Sequence, residues 1–368
     1  MKIYRKDNVL EAAKKRVSWL FDEFPEVMAA FSGGKDSTVV LELGIEEARR
    51  RGQLPFKVLF IDQEAEWAET VAYAKRTSER PEVEMYWYQM PFKLENAASF
   101  SEEWLYCWDQ EKKDVWIHSQ QPFAIKENKF GTDEFYKLFD KIYPAAAKTE
   151  NYAVLYGLRS AESPLRSVAM TSTHGYKDIT WATKAGWKKD PSYKFGIIYD
   201  WAAADVWTAI ARHGWDYNKN YNYQFQYGIS PLRMRVSSLT HGIAAENTLR
   251  MLQEIEPETY EKLVRRLPGI DTYSKLQKDI RITHLPEAFS SWEEYVEYIT
   301  LNLLSDQGRA GFEKLLKNQQ VKDIPKNEEF WKNVALQMQA NDYYGVRMQN
   351  LVATMAKKAY SKERKYAK

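Results

Sequence analysis

The sequence predicts an α/β fold with a parallel sheet and helices on both of its faces, followed by a mostly helical C-terminal domain. In residues 1–240, short apolar runs of strand length alternate with amphipathic helical stretches, which is typical of βαβ units. From about residue 243 onward, the apolar residues follow helical spacing almost throughout. We therefore expect two domains, one over residues 1–240 and a helical one over residues 241–368.

The predicted elements of the first part follow from the spacing of apolar side chains. The strands are short buried runs rich in β-branched and aromatic residues, and the helices repeat apolar residues at helical spacing. In chain order we expect a helix over 8–24, a strand over 27–31, a helix over 38–51, a strand over 56–62, a helix over 65–78 and a strand over 83–88.

Residues 92–150 interrupt this alternation, since they are rich in Trp, Phe, Lys and Asp without a clear period, and we interpret them as an aromatic insertion or lid. Regular elements then return. We expect strands over 152–157 and 195–200, and helices over 202–213, 244–255, 260–266, 292–304 and from 331 to the end. The expected core residues include Trp67, Trp201, Val206 and Ile210.

Composition excludes several classes of protein. No apolar run approaches the length of a membrane span and the charged N-terminus lacks a signal-peptide core, so we expect a soluble cytoplasmic protein without a membrane partner. Cys107 is the only cysteine, which excludes an internal disulfide and a zinc or iron–sulfur site built from cysteines. We expect it to be a buried structural thiol. The net charge is +2, and the basic segment 357–368 favours a solvated helix end over a nucleic-acid arm.

The most informative segment is SGGKDS, which lies between the first predicted strand and the following helix. Its two glycines lack a Cβ, so they permit a sharp turn and the close approach of an anion. The start of the helix adds N–H groups and the positive end of the helix dipole. Hydroxyls, a cation and a potential magnesium ligand complete a predicted phosphate cradle made of Ser32, Gly33, Gly34, Lys35, Asp36 and Ser37. The alternative is a serine-capped helix after a glycine turn, and the spacer of a Walker A loop is missing.

Two further groups follow predicted strands. Asp62 closes the second strand at the same sheet edge as the cradle, where it is suited to bind ribose hydroxyls or a metal; the alternative is a solvated strand end. GLRSAESPLR follows a later strand, on a helix expected to begin near Ser160. Arg159 and Arg166 are suited to grip phosphate or sulfate oxygens, whereas Glu162 and Arg166 also have the spacing of a helical ion pair.

A pair of arginines, Arg233 and Arg235, lies two residues apart in a segment that we expect to be extended, so that both side chains point the same way. We interpret the pair as a substrate contact, and the alternative is an ordinary surface segment. The middle of the chain is also rich in Trp and Tyr, whose rings suit a core, an interface or base stacking.

Taken in order, SGGKDS, FID, GLRSAESPLR and IYDWAAADVW resemble the phosphoadenosine phosphosulfate (PAPS) reductase family over roughly residues 25–240. That family belongs to the N-type ATP pyrophosphatases, so the resemblance implies an adenine-nucleotide α-hydrolase-like, Rossmann-like sheet. The helical remainder resembles the subgroup described as immunoglobulin-binding regulator A-like, with a C-terminal region of unknown function. Such proteins are typically encoded beside a ParB/sulfiredoxin-like protein, which the resemblance implies as a partner.

The resemblance also implies a site. The cradle residues would bind the phosphates of ATP or of PAPS, and Asp62 would lie near the ribose or a metal. The substrate end of the crevice would be flanked by Arg159, Glu162 and Arg166. Lys35, Asp36 and Arg159 would be the catalytic residues, and Asp36 would be a ligand of Mg²⁺, which would share the charge of the leaving pyrophosphate.

One departure from the family narrows the function. True PAPS reductases attack with a cysteine in a C-terminal Glu-Cys-Gly-type motif, which this sequence does not contain. Our first hypothesis is therefore a Mg-dependent ATP pyrophosphatase or nucleotidyl transferase that uses a nucleophile from its substrate. The second is a regulatory nucleotide sensor that acts with the partner on transcription or defence. The third is a nucleic-acid-directed enzyme of the sulfur-modification type, suggested by the basic tail and the aromatic insertion.

Overall fold

The computed structural model describes residues 6–98, 102–171, 175–177, 179–184, 193–236, 238–240, 244–272, 274, 284–322, 324–340 and 342. The chain divides into two compact units, Met1–Lys93 with Cys107–Ser237, and Leu94–Tyr106 with Ser238–Lys368. The predicted boundary after residue 240 stays a prediction, and the basic segment 357–368 lies outside the described residues. Within the described part of the chain, no helix is long and apolar enough to cross a membrane.

The strands confirm the predicted α/β class. In chain order they are β1 Glu26–Phe31, β2 Phe56–Ile61, β3 Val83–Tyr88, β4 Phe92–Glu95, β5 Trp104–Cys107, β6 Tyr152–Leu155, β7 Ala182–Lys184 and β8 Tyr193–Phe195. Six of them form one sheet in the order β3-β2-β1-β6-β8-β7, and β4 pairs with β5. Neighbours in the large sheet are parallel, except that the edge strand β7 runs antiparallel to β8.

Helices connect the strands of the first unit and make up most of the second. Those of the first unit are α1 Val9–Glu23, α2 Lys35–Arg50, α3 Ala68–Ser78, α4 Phe135–Ala146, α5 Pro164–Thr171, α6 Ala203–His213 and α7 Asn220–Gln226, with a 3₁₀ helix at Gln110–Val115. Those of the second unit are α8 Ala244–Ile255, α9 Pro257–Arg266, α10 Trp292–Asn302, α11 Asp306–Leu316, α12 Gln319–Lys322 and α13 Glu328–Gln339. The mostly helical C-terminal region is therefore confirmed.

The core of the first unit joins α1, α2 and α6 to the sheet through buried aliphatic and aromatic side chains. Trp201 is buried and its Nε1 donates to the carbonyl of Val9 at 3.0 Å, while Arg16 of α1 binds both carboxylate oxygens of Asp200 at 2.8 and 2.6 Å. The IYDW segment thus fastens α1 to the unit. The other expected core residues are buried as well, namely Trp67, Val206 and Ile210.

Several element boundaries differ from the predictions by two or three residues, including the starts of α2, α3 and α9 and the end of β6. Two larger differences have a physical reason. The expected strand over 195–200 is wrong for residues 196–200, since β8 covers Tyr193–Phe195 and the following apolar residues form turns in which Tyr199 N donates to Gly196 O at 3.0 Å. Helix α5 begins at Pro164 and not near Ser160. Proline favours the first helical position because it has no N–H to satisfy, and Ser163 Oγ accepts from Arg166 N at 3.2 Å as a cap.

Candidate phosphate-binding site

The SGGKDS segment follows the strand at which the order of the sheet changes direction. From β1 the chain moves outward on one side through β2 and β3, and it then crosses to β6 on the other side of β1. The carboxyl ends of β1 and β2 lie side by side, since Phe31 is in register with Phe60. In open α/β sheets, ligands bind at this kind of switch point. The fold thus places the cradle where a ligand crevice is expected.

The turn itself depends on glycine. Gly33 has φ +67°, in the left-handed region, and a Cβ there would lie 2.9 Å from Cγ2 of Thr70. Gly34 precedes the first residue of α2 and has no side chain with which to cap the helix. In the part of the chain that the structure describes, no acceptor is bonded to the N–H groups of Gly33, Gly34 or Asp36. These donors sit at the positive end of a 16-residue helix, where an anion is stabilised.

The serine hydroxyls hold the turn closed. Ser37 Oγ donates to the carbonyl of Gly34 at 2.9 Å and lies 3.1 Å from Ser32 Oγ, while Ser32 N donates to Ser37 Oγ at 3.2 Å. Each of these bonds links one side of the turn to the other and holds the two sides together. The predicted hydroxyl donors are therefore present, but they are engaged within the turn.

A row of alternating charges crosses the start of α2. Lys35 Nζ lies 3.1 Å from Asp36 Oδ2, and the other carboxylate oxygen of Asp36 accepts from Arg159 Nε at 2.5 Å. Arg159 NH2 lies 3.4 Å from Glu162 Oε1, and Glu162 Oε2 pairs with Arg166 NH1. Three cations and two carboxylates leave one net positive charge. Only Arg166, whose side chain is 42% exposed, reaches solvent to a large degree, since Lys35 and Arg159 are each 5% exposed.

The structure therefore brings together five of the predicted site residues, and it also forms the Glu162–Arg166 ion pair that was the alternative interpretation. The approach is possible because Gly157 lies directly against the start of α2. A Cβ on Gly157 would lie 2.7 Å from the carbonyl carbon of Asp36 and from Ser37 N. The glycine at the head of GLRSAESPLR is thus what allows the arginine segment to reach the cradle.

Two residues that the sequence analysis missed support the cradle from α7 and the residues before it. Tyr221 is buried, and its hydroxyl accepts from Lys35 N at 2.9 Å. Burial raises the pKa of Tyr221 well above its ordinary value, so its phenol stays neutral. Asn218 Nδ2 donates to Gly33 O at 3.1 Å and lies 2.9 Å from Thr70 Oγ1. No local sequence pattern marks either residue, because both contacts span more than 140 positions of the chain.

The arginine pair lies close to the same place. Arg233 and Arg235 are exposed, whereas Met234 and Val236 are buried. Arg233 lies in a turn in which its N–H donates to Ser230 O at 2.8 Å, so the segment is not extended throughout, and its role as a substrate contact stays a prediction. The carbonyl of Met234 accepts from Lys35 Nζ at 3.4 Å, which places this segment beside the cradle.

Asp62 is brought to the sheet edge but is enclosed. It is 0% exposed, and its Oδ2 accepts from Trp87 Nε1 and Gln89 Nε2, both at 2.9 Å. Its Oδ1 accepts from Glu64 N at 3.0 Å and lies 3.2 Å from His118 Nε2. A direct contact with ribose or a metal would require some of these bonds to open, so its predicted role in binding stays a prediction.

Two titrating groups surround Asp62. Burial disfavours the charged form of His118, but the charge of Asp62, the bond to it and the carbonyl of Ser119 outweigh burial and raise the pKa of His118 above 6.5. Burial, followed by the charge of Asp62, raises the pKa of Glu66 well above 4.5. Both groups with a raised pKa, His118 and Glu66, thus lie near the buried carboxylate of Asp62 at the end of β2.

The donor set for a metal is small. Among the described residues, no group of three or more His, Cys, Asp and Glu side chains is arranged to hold a metal ion. At the cradle, Asp36 is the carboxylate next to the glycine turn, and both of its oxygens have cationic partners. A metal contact at Asp36 would have to displace one of these partners, so its predicted role as a ligand of Mg²⁺ stays a prediction.

Cys107 does not serve as an exposed nucleophile. Its side chain is 0% exposed, and Sγ donates to the carbonyl of Gln63 at 3.2 Å. The expectation of a buried structural thiol is confirmed for this cysteine.

Two comparisons place the chain among known sequences. Residues 26–227 match the family model of the phosphoadenosine phosphosulfate reductase domain, and this match includes the cradle and the arginine segment. The protein YbdN of Escherichia coli strain K12, which is uncharacterised, is 32% identical over 282 residues, or 72% of this chain. The chain spans about two thirds (66%) of the length of that relative.

Several solved structures are similar at a low level. The FMN adenylyltransferase of Candida glabrata in complex with ATP has a TM-score of 0.35 and 14% identity, over 61% of this chain and 63% of the other. The PAPS reductase of Candida auris in a phosphate complex has a TM-score of 0.32 and 13% identity, over 64% of this chain and 98% of the other. Likeness at this level supports no inference about ligand or activity.

Proposed function

This chain belongs to the phosphoadenosine phosphosulfate reductase domain family, and on that premise we propose that it is an enzyme that cleaves ATP or a related adenine nucleotide between the α- and β-phosphates. The single observation that carries the proposal is the row Lys35–Asp36–Arg159–Glu162–Arg166 at the start of α2. A net positive row beside uncommitted N–H donors suits the outer phosphates of a nucleotide.

In the proposed reaction, a lone pair of a nucleophile forms a bond to the α-phosphorus while the bond to the bridging oxygen breaks. Pyrophosphate leaves, and the adenylyl group stays on the acceptor. Negative charge moves toward the leaving group, so fixed positive charges there stabilise the transition state more than the ground state. Magnesium, arriving with the nucleotide, would supply further charge neutralisation, and Asp36 would be its protein contact.

Each cation has a separate proposed task. Lys35 binds the β- and γ-phosphates, where its neighbour Asp36 holds it in place beforehand. Arg159 bridges Asp36 and Glu162 and so keeps its guanidinium fixed next to the cradle. Arg166 is the exposed end of the row and meets the substrate first. The carboxylates therefore orient the cations, and their own charge reduces the repulsion among the three cations.

Asp62 is proposed as a positioning residue. It accepts hydrogen bonds from Trp87 and Gln89 and lies 3.2 Å from His118 Nε2, which fixes the segments that follow β2 and β3. The predicted contact with ribose or metal remains a separate prediction, as do PAPS as the nucleotide, the ParB/sulfiredoxin-like partner and the role in transcription.

The source of the nucleophile separates the two leading hypotheses. The cradle hydroxyls of Ser32 and Ser37 are bonded within the turn, so we propose that the acceptor molecule supplies the nucleophile. If no acceptor is used, the engaged hydroxyls of Ser32 and Ser37 favour the second candidate, which is a sensor that binds the nucleotide without turnover.

The test is product analysis with ATP labelled at the α-phosphate, in the presence of Mg²⁺ and added nucleophiles. We expect the label in AMP or an adenylylated product together with free pyrophosphate, and we expect Lys35→Ala to abolish both. Label in ADP would contradict cleavage at the α–β bond. Tight binding without any product would favour the sensor.

A further inference from the structure

Helix α7 and the turn after it carry several exposed aromatic, apolar and basic side chains. Phe225 is 63% exposed, Tyr223 is 45% exposed and Leu232 is 64% exposed, and the side chains of Arg233 and Arg235 are exposed beside them. We call these five residues the α7 face. Large apolar side chains at this exposure lose free energy to water unless a ligand covers them, so the face is suited to contact another molecule.

The α7 face belongs to the same short segment that supports the cradle. On the inner side, Tyr221 bonds Lys35 N. Gln224 Nε2 donates to the carbonyl of Arg235 at 2.7 Å, and its Oε1 accepts from Arg235 N at 3.1 Å. The segment that carries the α7 face is therefore also the segment that contacts the cradle.

Charge indicates what kind of ligand fits. Residues 217–245 contain no Asp or Glu, and among the described residues neither Arg233 nor Arg235 pairs with a carboxylate. Lys219, by contrast, pairs with Asp216 at 2.9 Å and is already neutralised. Flat exposed rings beside two uncompensated guanidinium groups match a polyanion that carries planar groups. A single strand of nucleic acid has both features, since its bases can stack on aromatic rings while its phosphates meet arginine.

We propose that the α7 face binds a single-stranded segment of RNA or DNA, with a base stacked on Phe225 and phosphates at Arg233 and Arg235, while Tyr223 contacts the strand from the other flank of α7. A duplex would fit less well, because its bases are stacked on one another and hidden from the rings. That the bound strand supplies the nucleophile rests on the proposed function, whereas the binding itself does not.

The test uses the full-length protein without nucleotide and fluorescently labelled strands of about a dozen nucleotides, as RNA, as DNA and as a duplex. Anisotropy is followed between about 50 and 200 mM salt. Log affinity falls with log salt, and each lost phosphate contact makes this fall less steep by about 0.7. We expect Arg233→Gln and Arg235→Gln each to make the fall of affinity with salt less steep. We expect Phe225→Ala to weaken binding about fivefold to a hundredfold with the slope unchanged, because stacking is not ionic.

Phe123→Ala is the matched control, since Phe123 is 54% exposed in the same unit and outside the α7 face. Salt-dependent single-strand binding that Phe225→Ala weakens and Phe123→Ala does not would support the proposal, and the RNA and DNA arms would identify the strand. Absence of strand binding, equal binding of the duplex, or equal effects of the two variants would overturn it.

Calorimetric titration of ATP into the same proteins keeps the two proposals apart. If the protein binds ATP but no strand, the proposal for the α7 face is overturned and the proposed function is not. Retained strand binding in a protein that binds no nucleotide would overturn the proposed function and leave the α7 face standing.

Discussion

At the scale of single residues, Arg159 is the centre of the site because it joins two carboxylates that come from different parts of the chain. Its Nε bonds Asp36 and its NH2 reaches Glu162, with the side chain 5% exposed. A guanidinium can make both contacts because its donors form a rigid planar fork, whereas an ammonium is a single point charge. Lysine can therefore replace Arg166, which contacts one carboxylate, better than it can replace Arg159, which contacts two.

We expect Arg159→Lys to destabilise the protein by about 1–3 kcal/mol and to weaken ATP binding, because one of the two partly buried carboxylates loses one of its two cationic partners. Arg166→Lys is the matched control, and its more exposed pair should change stability by less than about 1 kcal/mol. Urea unfolding and calorimetric titration measure the two effects. Equal losses in the two variants would show that the bridge made by Arg159 has no special role.

Gly157 gives a second prediction at this scale. In Gly157→Ala the new Cβ would meet the backbone of Asp36 and Ser37 at 2.7 Å, so the start of α2 must shift. We expect a destabilisation of about 1–3 kcal/mol and at least a tenfold loss of ATP affinity.

Gly131→Ala is the control for Gly157→Ala. Gly131 has φ +69° and open space around its Cβ position, so alanine there costs stability through backbone strain without touching the cradle. Thermal unfolding and ATP titration of both variants are compared. Unchanged ATP affinity in Gly157→Ala would contradict the proposed place of Gly157 beside the cradle.

At the scale of elements, the carboxyl end of β2 carries a pair of side chains whose contribution to stability depends on pH. The end of β2 holds the enclosed pair of Asp62 and His118, and the raised pKa of His118 makes this pair sensitive to pH. A group whose pKa is higher in the folded state stabilises it fully below the unfolded pKa, near 6.5 for histidine, and this contribution is lost as the pH rises through the folded pKa. Each unit of the rise is worth about 1.4 kcal/mol.

We therefore expect wild type to exceed His118→Gln in the free energy of unfolding at pH 6, and we expect the difference to shrink at alkaline pH. Urea unfolding at a series of pH values measures it. His284→Gln, which changes an exposed histidine, should show no such trend. A difference that is constant with pH would mean that His118 is not charged in the folded protein.

Most elements could be predicted from the sequence, since β1, β2, β3 and β6 are short apolar runs and α1, α2 and α6 repeat apolar residues at helical spacing. The run at Ile197 and Ile198 was misleading, because buried apolar residues also occur in turns. The start of α5 carried a readable signal, Ser163 followed by Pro164, that outweighs helical spacing. Contacts such as Tyr221 with Lys35 carry no local signal, since tertiary packing alone creates them.

At the scale of the whole molecule, the chain enters the second unit twice. Residues 94–106 belong to that unit although both flanking segments belong to the first. Within it, Arg266 NH2 donates to the carbonyl of Tyr106 and Ala97 N donates to Thr240 O, at 2.6 and 2.8 Å. Leu94 and Leu105 are buried there. A single cut in the sequence therefore does not separate the two units.

We expect a chain truncated after residue 237 to expose the apolar residues of 94–106, to bind a hydrophobic dye and to aggregate. A second truncation in which 94–106 is replaced by a short glycine–serine linker should be more soluble, because that surface is removed. Sedimentation and dye fluorescence compare the two. Equal solubility would mean that residues 94–106 do not depend on the rest of the second unit.

The glycine turn and its row of charges are proposed to bind the phosphates of an adenine nucleotide. Calorimetric titration of ATP with Mg²⁺ into wild type, Lys35→Ala and Lys75→Ala tests this proposal most directly, because Lys75 is an exposed lysine of α3 that serves as the control. We predict that wild type and Lys75→Ala bind alike and that Lys35→Ala binds about tenfold to a hundredfold more weakly. The absence of ATP binding in wild type, or equal binding by Lys35→Ala, would contradict the claim.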